Sequence, residues 1–211
     1  MDQSPWPLRD LRITTPGLEL RFPNDDDLMT LAAHAAKEDY DPSVPAFAVK
    51  EDTPTLRSRR FLQRAWNAWS GWKPEQWVLD LVAVVDGETV GHQLAWARGF
   101  DVLREVETAS WVARAHQGRG LGTLMRAAML GFVFSGLESS YATSSARTDA
   151  KASHAVSRKL GYVEDGILRV ATNGEAFTLQ RYRISREQFE ARGFAPVEIH
   201  GLEACRDMFG L

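Results

Sequence analysis

The chain has 211 residues, 44% hydrophobic and 25% charged, with a formal net charge of −3 from 25 Lys+Arg against 28 Asp+Glu. These values fit one large globular domain and disfavour a general nucleic-acid binder, which would carry a basic balance. No apolar run reaches a membrane span, Met1-Asp2-Gln3-Ser4-Pro5-Trp6-Pro7 lacks the basic-then-apolar pattern of a leader, and Cys205 has no partner for a disulfide or a Cys/His metal site.

A cytoplasmic protein without a metal, a membrane partner or a nucleic-acid partner is therefore expected. Leu18 to Phe22 alternates apolar and charged residues, as a half-buried strand does. Asn24-Asp25-Asp26-Asp27 supplies cap chemistry and dipole-favoured acids for a helix over Leu28 to Ala36. The next stretch holds Pro42, Pro45 and Pro54, then a helix from Thr55 to Trp69. Trp66, Trp69, Trp72 and Trp77 either line a groove or pack this helix onto a sheet. Val78 to Val85 is a buried strand, Asp86-Gly87 a hairpin turn, and Thr89 to Ala97 the returning strand.

Glu105 to Ala113 is a further strand that runs into Gln117-Gly118-Arg119-Gly120-Leu121-Gly122-Thr123, which opens a helix over Leu121 to Phe134. A glycine turn between strand and helix presents backbone N–H groups at the positive end of a helix dipole, a phosphate site. Gly120 and Gly122 leave room for a pyrophosphate, and Thr123 adds a hydroxyl. The plain alternative is a helix that merely begins with glycines. A P-loop needs a lysine after the last glycine, and the dinucleotide loop spaces its glycines differently.

Tyr141 to Ser145 is a short strand, and Ala152 to Leu160 a helix ending at Gly161, a natural left-handed cap. Tyr162 to Ala171 and Phe177 to Ile184 flank Asn173-Gly174, a second hairpin signal. Ser185 and Gln188 form a capping box for a last helix near Phe189. Residues 196–211 offer one more strand and a short helix. The whole is mixed α/β with a mixed sheet.

The glycine loop matches the acyl-CoA loop of the GNAT N-acyltransferases, Gln/Arg-x-x-Gly-x-Gly/Ala, at Gln117, Gly120 and Gly122. About thirty residues on, Asp149-Ala150-Lys151-Ala152-Ser153 and Val156 to Tyr162 resemble that superfamily's Asn-x-x-Ser…Lys-Leu-Gly-Phe/Tyr segment. Leu11 to Leu20 and Tyr182 to Glu187 are similar to its RimJ/RimL branch, so the resemblance spans about residues 10–190. It implies a GNAT fold over one domain, 1–211, with a central twisted sheet of about six to eight strands and helices on both faces. It implies a CoA-dependent N-acyltransferase that moves an acyl group, acetyl or succinyl, from acyl-CoA to a primary amine.

The resemblance also implies a splay between the strands at Trp111–Ala113 and Tyr141–Ser145. Backbone groups of Trp111, Val112 and Ala113 would bind the pantetheine arm there, with the Val112 N–H facing the oxyanion. Residues Gln117, Gly118, Arg119, Gly120, Leu121, Gly122 and Thr123 would hold the pyrophosphate, and Ser153 the cofactor or its departing thiol. Glu107, with Glu105 as its alternative two residues away on the same face, is the candidate base for the amine proton. His116 adjoins the loop, His92 is assigned to structure, and His154 to an inert helix surface.

One residue departs from the pattern. Ala150 stands where the superfamily has asparagine, which keeps open a non-catalytic acyl-CoA-binding module on the same fold. The tail is too apolar for a disordered end, with Val197, Ile199, Leu202, Met208, Phe209 and Leu211. It packs on its own domain or docks on a second copy, and a homodimer is expected.

Overall fold

The computed structural model describes residues 4–39, 53–172 and 174–211. Met1 to Gln3, the prolines Pro42 and Pro45, and Asn173 of the second turn signal lie outside the described residues.

The chain opens with a hairpin of β1 (Arg12–Thr15) and β2 (Leu18–Arg21). Helix α1 (Asp25–Ala35) starts at Asn24, whose side chain accepts from the Asp27 amide while Asp27 accepts from the Asn24 amide. Thr53 caps α2 (Pro54–Ser70), and Pro54 sits where its missing N–H costs nothing. β3 (Gln76–Val85) and β4 (Glu88–Arg98) meet at Asp86 and Gly87, both with positive φ, the turn that suits twisted strands. A single turn, α3 (Phe100–Leu103), leads into β5 (Glu105–Val112). Then come α4 (Leu121–Gly131), extended by a π-helical turn over Phe132–Gly136, and β6 (Tyr141–Arg147). α5 (Lys151–Leu160), β7 (Val163–Thr172), β8 (Glu175–Ser185), α6 (Arg186–Glu190) and β9 (Glu198–His200) complete the order.

The strands form a single sheet in the order β7-β8-β6-β5-β4-β3-β2-β1-β9. Every pairing is antiparallel except β5 with β6, so the sheet is mixed. Leu79, Leu81 and Ala83 of β3 pack on the side of α4, while Val82 packs with Leu31, Ala32 and Phe61 of α1 and α2. Burial on both faces explains why β3 is an apolar run without alternation. Leu121, Met125, Ala128 and Phe132 lie on one face of α4 and are all buried, as their spacing predicts.

Among the described residues the sheet has nine strands, one more than the expected range of about six to eight. The additional edge comes from β1 and from β9, which pairs with it through Ile13↔Ile199. The tail is part of its own domain. Cys205 and Phe209 are 0% exposed, and the Phe209 ring lies 5.1 Å from Trp77 and 5.3 Å from Trp72. Val197 packs over Gly131, and Ile199 with Leu202 over Gly136, where a Cβ would sit 3.0 Å from each. The apolar tail packs against its own chain, with Val197, Ile199, Leu202, Met208 and Leu211 partly buried there. No helix among the described residues is long and apolar enough to cross a membrane, and no group of three His, Cys, Asp or Glu among them could hold a metal ion.

Candidate active site

β5 and β6 pair in parallel only from Glu105↔Tyr141 to Glu107↔Thr143. Beyond that point β5 continues alongside β4 to Gly91↔Val112, and β6 alongside β8 to Arg147↔Leu179. The two strands separate, leaving backbone groups with no strand partner between them. Thr108 closes the apex: its hydroxyl donates to the Thr143 carbonyl at 3.2 Å and lies 3.1 Å from the Tyr162 hydroxyl. A cleft of about 860 Å³ opens from this apex through the sheet.

Glu107, Trp111, Val112, Gln117, Gly118, Gly120, Leu121, Gly122, Thr123 and Ser153 all line this one cleft. The loop is shaped by Gly118 at φ +77° and Gly120 at φ +79°, left-handed values that a β-branched residue resists. A Cβ at either would meet no atom within 4 Å, so the space beside the loop is open. Among the described residues, the amides of Gly118, Arg119, Gly120, Leu121 and Gly122 have no acceptor within the chain. They face the cleft mouth at the start of α4, where the helix dipole favours an anion. The Thr123 amide is used locally, on the Gly120 carbonyl at 3.0 Å.

Gln117 has a role that its motif position does not show. Its side-chain amide donates to the Val112 carbonyl at 2.9 Å and ties the loop to the strand edge. The Ala113 N–H donates to the Val90 carbonyl at 2.9 Å, and the Ala113 carbonyl accepts from the His116 N–H at 2.8 Å. Ala113 is buried with both groups engaged, so it offers no free backbone to a ligand, contrary to the sequence expectation. Alternation along the strand then turns the Val112 N–H into the cleft. Gly91 permits this arrangement, because a Cβ there would overlap the Trp111 carbonyl oxygen.

Glu107 is half-buried on the cleft floor and accepts from the Ser145 hydroxyl at 3.3 Å. Burial pushes its carboxyl above the usual range, against the hydrogen bond from Ser145 and the charge of Arg181. Glu105 does not line the cleft and pairs with Arg183 at 3.1 Å. Ser153 lies in the first turn of α5, and Ala150 lines the cleft with no polar group to offer. His116 lines it too, with its ring 5.7 Å from that of His34. Arg119 is exposed and outside the lining.

Three further side chains reach the cleft that sequence reasoning assigned to structure or passed over. His92 lines it, with Nδ1 at 2.7 Å from the Asp80 carboxylate, and Arg64 lies at 3.0 Å from the other Asp80 oxygen. Burial pushes His92 below the usual imidazole range. For Asp80 burial acts upward, but His92 and Arg64 outweigh it and hold the carboxyl below its ordinary value. One signal was available: an aspartate inside the apolar run Val78 to Val85 must have a partner. The third, Arg126, is buried on α4 and donates to Ser110 at 3.0 Å and to Ser157 at 3.3 Å.

Other sequence assignments change. The tryptophans of the cleft are Trp96 and Trp111; none of Trp66, Trp69, Trp72 and Trp77 lines it. Trp69 packs 4.9 Å from Phe22, and Trp77 is buried at 1% exposure. His154 is not at an inert surface: it is buried, with Nδ1 at 2.8 Å from the Tyr182 hydroxyl.

Residues 17–163 match the sequence model of the Acetyltransferase (GNAT) domain. Among solved structures, Mycobacterium smegmatis RimJ in complex with CoA-disulfide is similar at TM-score 0.69 and 18% identity, over 95% of this chain and 95% of that chain. RimL, the ribosomal L7/L12 α-N-protein acetyltransferase in complex with coenzyme A, is similar at 0.64 and 15%, over 81% and 95%. Vibrio cholerae spermidine/spermine N-acetyltransferase SpeG is similar at 0.64 and 16%, over 85% and 100%. At these identities the structures speak for the fold, while the match at residues 17–163 covers most of the sequence. The chain belongs to the GNAT family of acetyltransferases.

Proposed function

We propose that this protein transfers an acyl group, acetyl in the first instance, from its CoA thioester to a primary amine by direct attack in the cleft. The observation that carries this reading is the opening of the β5–β6 pair directly beside the unpaired loop amides, in one cleft. An extended pantetheine arm laid along β5 takes the place of the missing strand, with its pyrophosphate on the amides of Gly118 to Gly122. The Val112 N–H is the donor for the carbonyl oxygen as it gains charge. Glu107, raised by burial, takes the amine proton directly or through water. Ser153 stands by the cofactor from α5.

A peptide N-terminus and a small polyamine are the acceptor classes that the RimL and SpeG structures bring forward. A second reading, a binding module without turnover, is favoured by Ala150, which removes a polar contact from the cleft wall. Release of free thiol should decide, measured with acetyl-CoA and with succinyl-CoA against an N-terminal peptide panel and spermidine. Turnover with any pair supports the enzyme. Tight CoA binding with no thiol release across the panel leaves the module.

A further inference from the structure

Arg126 is an electrostatic anomaly. Its side chain is buried at 4% exposure on α4, yet among the described residues no carboxylate pairs with it. Its two terminal nitrogens reach only hydroxyls, Ser110 on β5 and Ser157 on α5, and its Nε has no partner. An isolated buried charge is costly, and a guanidinium does not escape the cost by losing its proton. Burial pushes it down from its ordinary range all the same, with only Tyr162 acting upward. Among the described residues, the interior therefore holds a positive charge with no counter-charge.

The position of that charge limits what it serves. Arg126 lines the cleft, and its Ser110 partner lies two residues from Thr108 at the apex and two from Val112 near the loop. A pantetheine arm anchored on the loop and directed at the apex passes this point with its thioester end. The pyrophosphate stays behind at the mouth, on the free amides. The reaction creates negative charge deep in the cleft twice, on the carbonyl oxygen, which the Val112 N–H meets, and on the departing sulfur, which has no donor assigned so far.

Resting on the acyltransferase reading, we propose that Arg126 is the counter-charge for the departing CoA thiolate. The neutral amine nitrogen attacks the thioester carbonyl carbon, and the carbon–nitrogen bond forms. The carbonyl π pair moves to oxygen, beside the Val112 N–H; as it returns, the carbon–sulfur bond breaks and sulfur leaves with its electron pair. The nitrogen proton goes to Glu107, and the thiolate takes a proton afterwards, through Ser153 or water. Until then the sulfur charge is held by the guanidinium, in surroundings from which water is largely excluded. Positive charge of this kind, fixed before the reaction, needs no reorganisation when the sulfur departs.

The test is a titration of the CoA thiol, free and bound, followed by its ultraviolet thiolate absorbance, in the wild type, Arg126→Met and Arg126→Lys. Tyr162, Lys151, Arg147 and Glu107 border the same space, and all are unchanged in these variants. The bound thiol should ionise at lower pH than free CoA in the wild type. Arg126→Met should return it to the free value and lower kcat about 10²-fold, with acetyl-CoA KM changed far less. Arg126→Lys should keep part of the shift. A second readout separates this role from a structural one: replacing an uncompensated buried charge by methionine should leave Tm equal or higher. A bound thiol that titrates like free CoA overturns the proposal, as does an Arg126→Met variant with unchanged thiol ionisation. A lowered Tm with unchanged thiol ionisation assigns Arg126 to structure. CoA that does not bind at all overturns the cofactor reading itself.

Discussion

Asp80 Oδ1 lies 2.7 Å from His92 Nδ1, and both side chains are buried within 4% exposure on neighbouring strands. A carboxylate only accepts, so the imidazole donates from Nδ1 and keeps the lone pair on Nε2. Phe61 and Trp111 each meet this imidazole in a T-shaped contact, at 5.3 and 5.5 Å. The pair lies at the cleft wall, where His92 is part of the lining.

The acid response of stability follows from this pair. His92 is held below its unfolded value near 6.5, so the unfolded chain binds the proton first as pH falls. Its contribution is present above about pH 6.5 and is lost on acidification below it. Asp80, also held low, loses its contribution at lower pH still. Tm measured from pH 8 to pH 5 should fall with acid in the wild type and fall less steeply in His92→Gln. Equal slopes for the two proteins would remove His92 from the account.

Glu107→Gln should lower turnover by about 10²-fold and leave acyl-CoA affinity nearly unchanged. Because burial raises the Glu107 carboxyl, the acid limb of kcat/KM should lie above the ordinary carboxylate range and disappear in the variant. A variant with the wild-type profile would pass the role to another group; the ion pair of Glu105 with Arg183 makes Glu105 a poor substitute.

Gly122 separates ligand binding from folding. It is helical, and a Cβ there would meet Val112 at 3.9 Å and Val156 at 4.0 Å, ordinary contacts. Gly122→Ala should therefore stabilise the free protein, by up to about 1 kcal/mol, through helix propensity. The acyl-CoA loop accepts alanine at this position, so acetyl-CoA binding should change little; Gly120→Val, which puts a branched side chain beside the amides proposed for the pyrophosphate, should bind acetyl-CoA at least about tenfold more weakly. Calorimetry showing unaltered affinity in Gly120→Val would take the phosphate away from this loop.

Phe209 tests the tail. Its ring is fully buried against Trp72, Trp77 and Phe132. Phe209→Ala should cost about 3–5 kcal/mol in denaturant unfolding. Deleting residues 196–211 should likewise unfold the domain, not merely change its association. A truncated protein with wild-type stability would contradict the packing described.

The elements themselves were legible because their determinants are local. Asn24, Thr53, Asp86-Gly87, Gly161 and the Ser185–Gln188 box fix ends and turns through bonds between residues near in sequence. β1 was harder, since four residues are too few for a period to show; the strand expected within residues 196–211 is β9.

The candidate site divides along the same line. The sequence by itself determined the glycine loop, the strand before it, the helix behind it and a glutamate on that strand, since phosphate-binding chemistry needs these within one short stretch. Tertiary structure alone decided where β5 and β6 part, which amides remain free, and that Ala113 is already bound to Val90. It also brought Asp80 to His92 and left Arg126 without a carboxylate among the described residues, because a buried charge is judged by neighbours that sequence distance does not reveal. The tail shows this most simply: its apolar residues announced burial, and only the pairing of β9 with β1 decided that the surface they bury belongs to their own chain.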